Sequence, residues 1–156
     1  MLLSVLRHIR NYFDHTEERG DFSLVDSNII LQGEYKIGQY ILITGSILVN
    51  GVYKIVDIAG KLHSLESADG TASDIVSENF NGVIYGLVIP PDFLNIVNDI
   101  KAFVDEQGAP TNIRSETNQN YRWESALDKN GNIAGWEQIF STKLAPFKKM
   151  FTTIKI

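Results

Sequence analysis

The chain contains no cysteine among its 156 residues. That absence excludes disulfide frameworks, zinc ribbons, thiol nucleophiles and cysteine-ligated iron–sulfur clusters, and it agrees with a reducing compartment. Histidine is scarce too: His8, His15 and His63 are the whole imidazole supply. No two of them stand at the i, i+4 spacing by which a helix offers two ligands to one metal. Basic charge is in the minority, with 14 Lys and Arg against 19 Asp and Glu and a net charge of −5. A uniformly basic nucleic-acid binder is therefore not expected, and only a local patch remains as a route to phosphates. No apolar run approaches the roughly 20 residues that span a bilayer. Arg7, His8 and Arg10 interrupt the apolar start Met1–Leu6 before a signal-peptide core can form. These features predict a soluble protein made inside the cell, with no membrane partner.

Apolar residues make up 44% of the sequence, enough for a sizeable core and too many for intrinsic disorder. The length predicts a single domain over 1–156. Within it, the signals predict a β-rich subdomain at 21–90 and a mainly helical part at 1–20 and 91–156. Leu2, Leu6, Ile9 and Phe13 fall on one helical stripe, which predicts an amphipathic helix over 2–13. Residues 14–21 lose that pattern, and Gly20-Asp21 is expected in a loop. Ile29–Leu31, Tyr40–Ile43 and Val83–Ile89 are short β-branched and aromatic runs, as strands prefer. Asn50-Gly51 between Ile47–Val49 and Val52–Ile55 predicts a tight hairpin, because a type I′ turn needs positive φ at both central residues. Asn81-Gly82 is a second hairpin candidate. Five or six short strands in about 70 residues predict a small antiparallel barrel or sandwich.

Pro90-Pro91 closes that block, and Phe93, Ile96, Val97, Ile100 and Val104 predict a helix over 91–106. A polar loop is expected at 112–120, a strand at 121–127 and a last helix from about Gly135, with Trp136, Ile139, Phe140 and Leu144 inward. Pro146 should end or kink that helix, having no N–H for the carbonyl four residues earlier. The fold class expected is α+β: a small antiparallel β-barrel or sandwich inserted between helices that pack together, followed by a C-terminal helix.

The chemical inventory is thin. Asp14-His15-Thr16-Glu17-Glu18 concentrates possible metal ligands, but consecutive residues on a loop rarely converge on one ion. Asp128, Asn130 and Asn132 match the first three positions of a calcium loop. Ile133 then stands where the sharp turn needs glycine, and Ile139 where the bidentate Glu belongs. Neither glycine-rich phosphate-loop pattern occurs, and Gly45-Ser46 lacks the second glycine of a nucleophile elbow. The expectation is of a protein that is not an enzyme and has no cofactor, with no catalytic and no metal-binding residues. Charge is unevenly distributed: between Asp57 and Glu78 the carboxylates Asp57, Glu66, Asp69, Asp74 and Glu78 face only Lys61, whereas every charge after Glu137 is a lysine.

One set of residues carries a resemblance to a known family. It comprises Lys36-x-Gly38-Gln39-Tyr40-Ile41-x-Ile43-x-Gly45-Ser46, then Asn50-Gly51-Val52-Tyr53-Lys54-Ile55, Glu78-x-Phe80-x-Gly82, and Ile89-Pro90 before a helix. Together these resemble the small neck proteins of tailed phages and prophages of Gram-positive hosts, the head–tail connectors of adaptor or stopper type. Ser115-Glu116, Tyr121, Trp136, Phe140 and Leu144 resemble their C-terminal half. Where those relatives often carry Ser-Glu-x-x-Gly-Gly-Tyr, this chain has Ser-Glu-Thr-Asn-Gln-Asn-Tyr at 115–121; asparagine tolerates positive φ better than most residues. The resemblance implies a virion structural protein. It would form a homo-oligomeric ring, twelve copies for an adaptor or six for a stopper, between the portal protein and a tail-terminator or stopper protein. DNA would pass through its lumen without specific binding.

On that reading Glu66, Asp69, Asp74 and Glu78 are expected on a mobile loop facing the lumen or an adjacent ring, where acidic charge repels the DNA backbone. Phe147, Phe151, Ile154 and Ile156 are expected to form a tail that docks on a neighbouring subunit or partner, folding back onto the chain's own core being the alternative. The rival function is a small β-barrel nucleic-acid-binding or regulatory module, for which Lys36, Lys54 and Lys61 with Tyr35, Tyr40 and Tyr53 are the candidates.

Overall fold

A computed structural model describes residues 1–68, 75–107, 115–118, 121–124, 135–152 and 154. The chain divides into two compact units, Met1–Pro90 with Lys149–Ile156, and Pro91–Lys148. The boundary does not follow the expected split at residue 21. The N-terminal helix belongs with the strands, whereas the helix after Pro90 belongs to the other unit, so the division falls between the two helices expected to pack together.

The first unit begins with α1 (Leu2–Ile9), whose stripe Leu2, Val5, Leu6 and Ile9 is buried. It stops short of the expected residue 13 because Arg10 takes a left-handed conformation at φ 55° and its N–H bonds back to the carbonyl of Arg7. Six strands follow: β1 (Asp14–Val25), β2 (Asn28–Ile30), β3 (Tyr40–Thr44), β4 (Gly51–Ala59), β5 (Leu62–Ser67) and β6 (Glu78–Leu87). They close into a barrel in the order β1-β2-β5-β4-β3-β6. Every neighbouring pair is antiparallel. Odd-numbered strands therefore run one way and even-numbered strands the other. The β1–β2, β3–β4 and β5–β6 connections gather at one end, here the upper end. The β2–β3 and β4–β5 connections lie at the lower end.

Inward-facing side chains fill the barrel: Phe22, Leu24, Ile29, Leu31, Ile41, Ile43, Val49, Ile55, Leu65, Phe80 and Ile84 pack as one cluster. A second apolar layer lies outside the wall. Leu42, Val52 and Leu87 alternate outward yet are buried, and α1 contacts β4 beside them.

Three local expectations are corrected. The stretch 14–21 is strand, because it pairs along β6 from Asp14↔Leu87 to Asp21↔Asn81; its side chains are mostly exposed, so hydrophobic alternation is missing there. The two-residue hairpin with positive φ at both positions is Asp26-Ser27 (49° and 64°), joining β1 to β2. Asn50 instead closes a longer β3–β4 loop, and Ile47–Val49 is not a strand. Asn81-Gly82 lies within β6, not at a turn. There glycine serves a close approach: a Cβ on Gly82 would strike the Thr44 carbonyl, and one on Gly45, at φ +87°, would stand 2.8 Å from the Gly82 Cα.

The second unit contains α2 (Pro91–Gln107), β7 (Ser115–Asn118), β8 (Tyr121–Glu124), α3 (Trp136–Ile139), α4 (Ser141–Leu144) and a 3-10 turn at Ala145–Phe147. In α2 proline takes the first helical position, Asp92 complements the helix dipole, and Phe93, Val97, Ile100 and Phe103 are buried. The rings of Phe103 and Phe140 meet edge to face at 6.0 Å, and those of Phe93 and Phe147 at 5.3 Å. The polar stretch expected as loop contributes β7, paired to β8 as a hairpin. The single C-terminal helix is in two pieces that break at Phe140, and Pro146 falls in the 3-10 turn that ends it. The calcium-like residues Asp128, Asn130 and Asn132 lie outside the described residues.

Candidate functional site

The most elaborately built feature of the barrel unit is the upper-end loop 45–50. Ser46 organises it. Its hydroxyl accepts from the N–H groups of Val49 (2.7 Å) and Leu48 (3.1 Å), while its own N–H donates to Asn50 Oδ1 (2.9 Å). The Asn50 amide donates in return to the Ser46 carbonyl at 2.7 Å. Val49 anchors the loop in the barrel core, and its carbonyl accepts from the Tyr53 hydroxyl at 3.0 Å.

A carboxylate from the neighbouring strand completes the brace. Glu78, the first residue of β6, accepts the Ser46 hydroxyl proton and the N–H groups of Ile47 and Leu48, each at 3.0 Å. The Ser46 hydroxyl above all, helped by these N–H groups, holds the Glu78 carboxyl below the usual carboxylate range. The same negative charge adds to burial in pushing the Tyr53 phenol up. The N–H groups of Ser46, Ile47, Leu48 and Val49 are therefore all bonded while the loop's tip points two large aliphatic side chains at solvent. Ile47 is 90% exposed and Leu48 63%. Exposed Val25 and Val76 stand at the same end, where the Asp26 N–H bonds to the Ser77 hydroxyl.

The lower end has a second carboxylate brace. Glu18 of β1 accepts from the N–H groups of Gln32 (2.7 Å) and Gly33 (3.2 Å) and from the Tyr35 hydroxyl (2.7 Å), pinning the β2–β3 connection. Burial first, and then the bond to Glu18, push the Tyr35 phenol far up. The Tyr35 ring meets His63 edge-on at 5.4 Å; His63 is buried and its Nδ1 donates to the Lys61 carbonyl at 2.8 Å. Lys61 in turn donates to the Gln32 side chain at 2.5 Å. Here too apolar groups face outward: Ile37 lies on the pinned connection, and Ile30 stands directly across from Leu62.

The acidic residues singled out from sequence do not form one excursion. Glu66 lies on β5 in register with Lys54, and Glu78 is spent on the loop brace. Asp69 and Asp74 lie outside the described residues. The tail is likewise redistributed. Phe147 packs on Phe93, Ile154 is 4% exposed, and the Lys149 N–H bonds to the Ile9 carbonyl at 2.9 Å. Phe151 alone of the described tail candidates is open, at 84%; Ile156 lies outside the described residues. Folding back onto the chain's own core thus accounts for Phe147 and Ile154.

Of the aromatics considered for nucleic-acid stacking, Tyr35 and Tyr53 pack against the barrel core with their hydroxyls bonded, so the six candidates do not make one basic aromatic groove. A half-open hollow of about 170 Å³ lies beside the braced loop, between Leu3, Asn50, Val52, Tyr53, Ser67 and Ala68. Among the described residues no three His, Asp or Glu side chains are grouped to hold a metal, and no helix is long and apolar enough to cross a membrane.

Sequence reasoning named Glu78 for its charge and missed its partner Ser46. A carboxylate that braces a loop 32 residues away leaves no local pattern to read. No family model matches the chain, and no curated protein or solved structure shows significant similarity to it.

Proposed function

We propose that this protein is a structural subunit of a phage neck: one member of a homo-oligomeric ring that joins the portal to the tail and lets DNA pass. The observation that carries this reading is the loop 45–50. A loop that served only as a connection would turn polar side chains to water. This one is held by a serine, an asparagine and a carboxylate from another strand so that Ile47 and Leu48 are displayed. Rigid display of exposed aliphatic groups is a property of protein-contact surfaces, since such patches promote association. The filled barrel interior supports the same reading, because its volume is occupied by side chains and serves as scaffold. The resemblance of the turn and strand residues to neck proteins supplies the identity of the partners: further copies of itself, the portal, and a tail-terminator or stopper protein.

The acidic-lumen idea now rests on Glu66, Asp69 and Asp74, since the Glu78 charge is engaged within the fold. Co-sedimentation with purified portal rings tests the proposal. The wild-type chain should pellet with the rings in fixed stoichiometry, and the double substitution Ile47→Ser/Leu48→Ser should weaken that binding at least tenfold while leaving the circular-dichroism melt unchanged. Equal binding by the variant, or none by the wild type, contradicts the reading.

A further inference from the structure

The Asn50-Gly51 pair ends the braced loop and begins β4. Asparagine is chemically labile, and before glycine it is open to attack by the chain itself. The glycine nitrogen closes on the carboxamide carbon, and no Cβ hinders the ring that forms. The folded loop opposes that attack. Asn50 Oδ1 accepts from the Ser46 N–H at 2.9 Å and its amide donates to the Ser46 carbonyl at 2.7 Å, so turning the carboxamide onto the Gly51 nitrogen breaks both bonds. Gly51 is itself held opposite Ile43 in the β3–β4 ladder. Asn81-Gly82 offers a contrast within the same barrel. It lies inside β6, between β1 and β3, in register with Asp21 and Gly20, and the Asn81 amide donates to Asp21 Oδ1 at 2.8 Å. The third such pair, Asn130-Gly131, lies outside the described residues.

We propose that Asn50-Gly51 is a self-modifying site controlled by the loop: when the brace opens, Asn50 is converted to aspartate or isoaspartate, and the product cannot rebuild the brace. The Gly51 nitrogen forms a bond to Asn50 Cγ, the Cγ–Nδ2 bond breaks, and the side-chain amide leaves as ammonia, its added proton balancing the one that the glycine nitrogen gives up. Water then opens the cyclic imide. Cleavage at Cγ gives aspartate, and cleavage at the backbone carbonyl carbon gives isoaspartate. Either product has lost the Nδ2–H that bonded the Ser46 carbonyl, and a carboxylate oxygen in its place meets another acceptor. The change also sets a second negative charge against Ser46, whose hydroxyl already bonds Glu78. Isoaspartate in addition lengthens the main chain by a methylene between Val49, fixed in the core, and the start of β4. The step is one-way, and it ends the rigid display of Ile47 and Leu48.

The test is peptide mapping by mass spectrometry on the intact chain incubated at neutral pH, folded and in urea. Folded wild type should convert Asn50 at least about tenfold more slowly than the same chain in urea, the ratio set by a loop-opening free energy of about 1.4 kcal/mol. Folded Glu78→Gln, which loosens the brace, should convert Asn50 several-fold faster than folded wild type. Asn81 should convert at the same slow rate in both folded chains, because a strand paired on both edges opens only with the barrel. Acceleration confined to Asn50 thus separates loop opening from loss of the fold. Equal conversion of Asn50 in folded and urea-treated wild type overturns the inference. So does a Glu78→Gln chain as slow as wild type, or one in which Asn50 and Asn81 accelerate together.

The product gives a second readout. Converted chain, separated from unconverted chain by ion exchange through its added negative charge, should lose hydrogen-exchange protection at the Leu48 amide, and Asn50→Asp should do the same without incubation. Wild-type protection at Leu48 in either would show that the brace re-forms and would contradict the inference. No partner enters these measurements, so the inference goes beyond the connector reading: a chain found outside the neck would overturn that reading alone, and an unaltered Asn50 would overturn this one alone.

Discussion

The residue that organises the upper end is Glu78, and its value to the fold depends on its charge. A neutral amide at that position can accept fewer of the three bonds that Ser46, Ile47 and Leu48 donate. Its carboxyl is held below the usual carboxylate range when folded, so its contribution is present above the unfolded value and is lost as pH falls through the lowered folded one. Hydrogen exchange at the Leu48 amide should therefore accelerate on acidification through that window, after correction for intrinsic exchange. In Glu78→Gln it should be fast already at neutral pH and insensitive to the same drop; unchanged protection in the variant would mean that the loop is held by Ser46 and Asn50 alone. Gly82 is the other single position with a sharp requirement. Any Cβ there meets the Thr44 carbonyl of the adjacent strand, a backbone atom that cannot rotate away. Gly82→Ala should cost about 1–3 kcal/mol in a urea melt, the usual range for overpacking; a loss below about 0.5 kcal/mol would show that β3 and β6 part easily at this point.

At the scale of elements, legibility in the sequence followed burial. β3 and the buried end of β6 are apolar runs with β-branched residues and were readable, and so was α2 with its proline start and its stripe. β1 was not, because most side chains of Asp14–Asp21 are exposed and the stretch owes its conformation to ladder bonds with β6. The Asn-Gly pairs misled for a related reason: Asn50 uses its side chain to close a loop, and Gly82 is required by a neighbouring backbone, neither of which is a hairpin turn. The braces at Glu18 and Glu78 are invisible as sites in the sequence since each joins residues 14 or more positions apart that only strand pairing brings together.

The tail shows both outcomes in six residues. Ile154 is core while Phe151 is solvent-exposed. Ile154→Ala should lower stability by about 2–5 kcal/mol, and Phe151→Ala should stay within about 0.5 kcal/mol of wild type. Equal effects in thermal or chemical denaturation would mean that the tail docks differently in solution.

For the whole molecule, the architecture is a filled barrel with a braced connection at each end and a second unit, Pro91–Lys148, that combines helices with the β7–β8 hairpin. Such a body is suited to scaffolding: core side chains fill the interior, and a carboxylate pins a connection at each end. On the proposed ring reading, carboxylates lining the lumen would release no counterions from the phosphate backbone and would let DNA slide past. Lysine at Glu66, Asp69 and Asp74 together should add phosphate contacts and slow genome ejection from assembled particles; ejection at the wild-type rate would place these residues away from the DNA path.

The central claim is that the chain is a ring subunit of the neck, and an averaged electron cryomicroscopy map of the assembled particle tests it most directly. The account predicts a closed ring between portal and tail, coaxial with the DNA, into whose subunit density the six-stranded barrel fits with loop 45–50 buried against a neighbour. Density for the barrel on the capsid surface or the tail tip, or a purified particle that lacks the chain altogether, would contradict it.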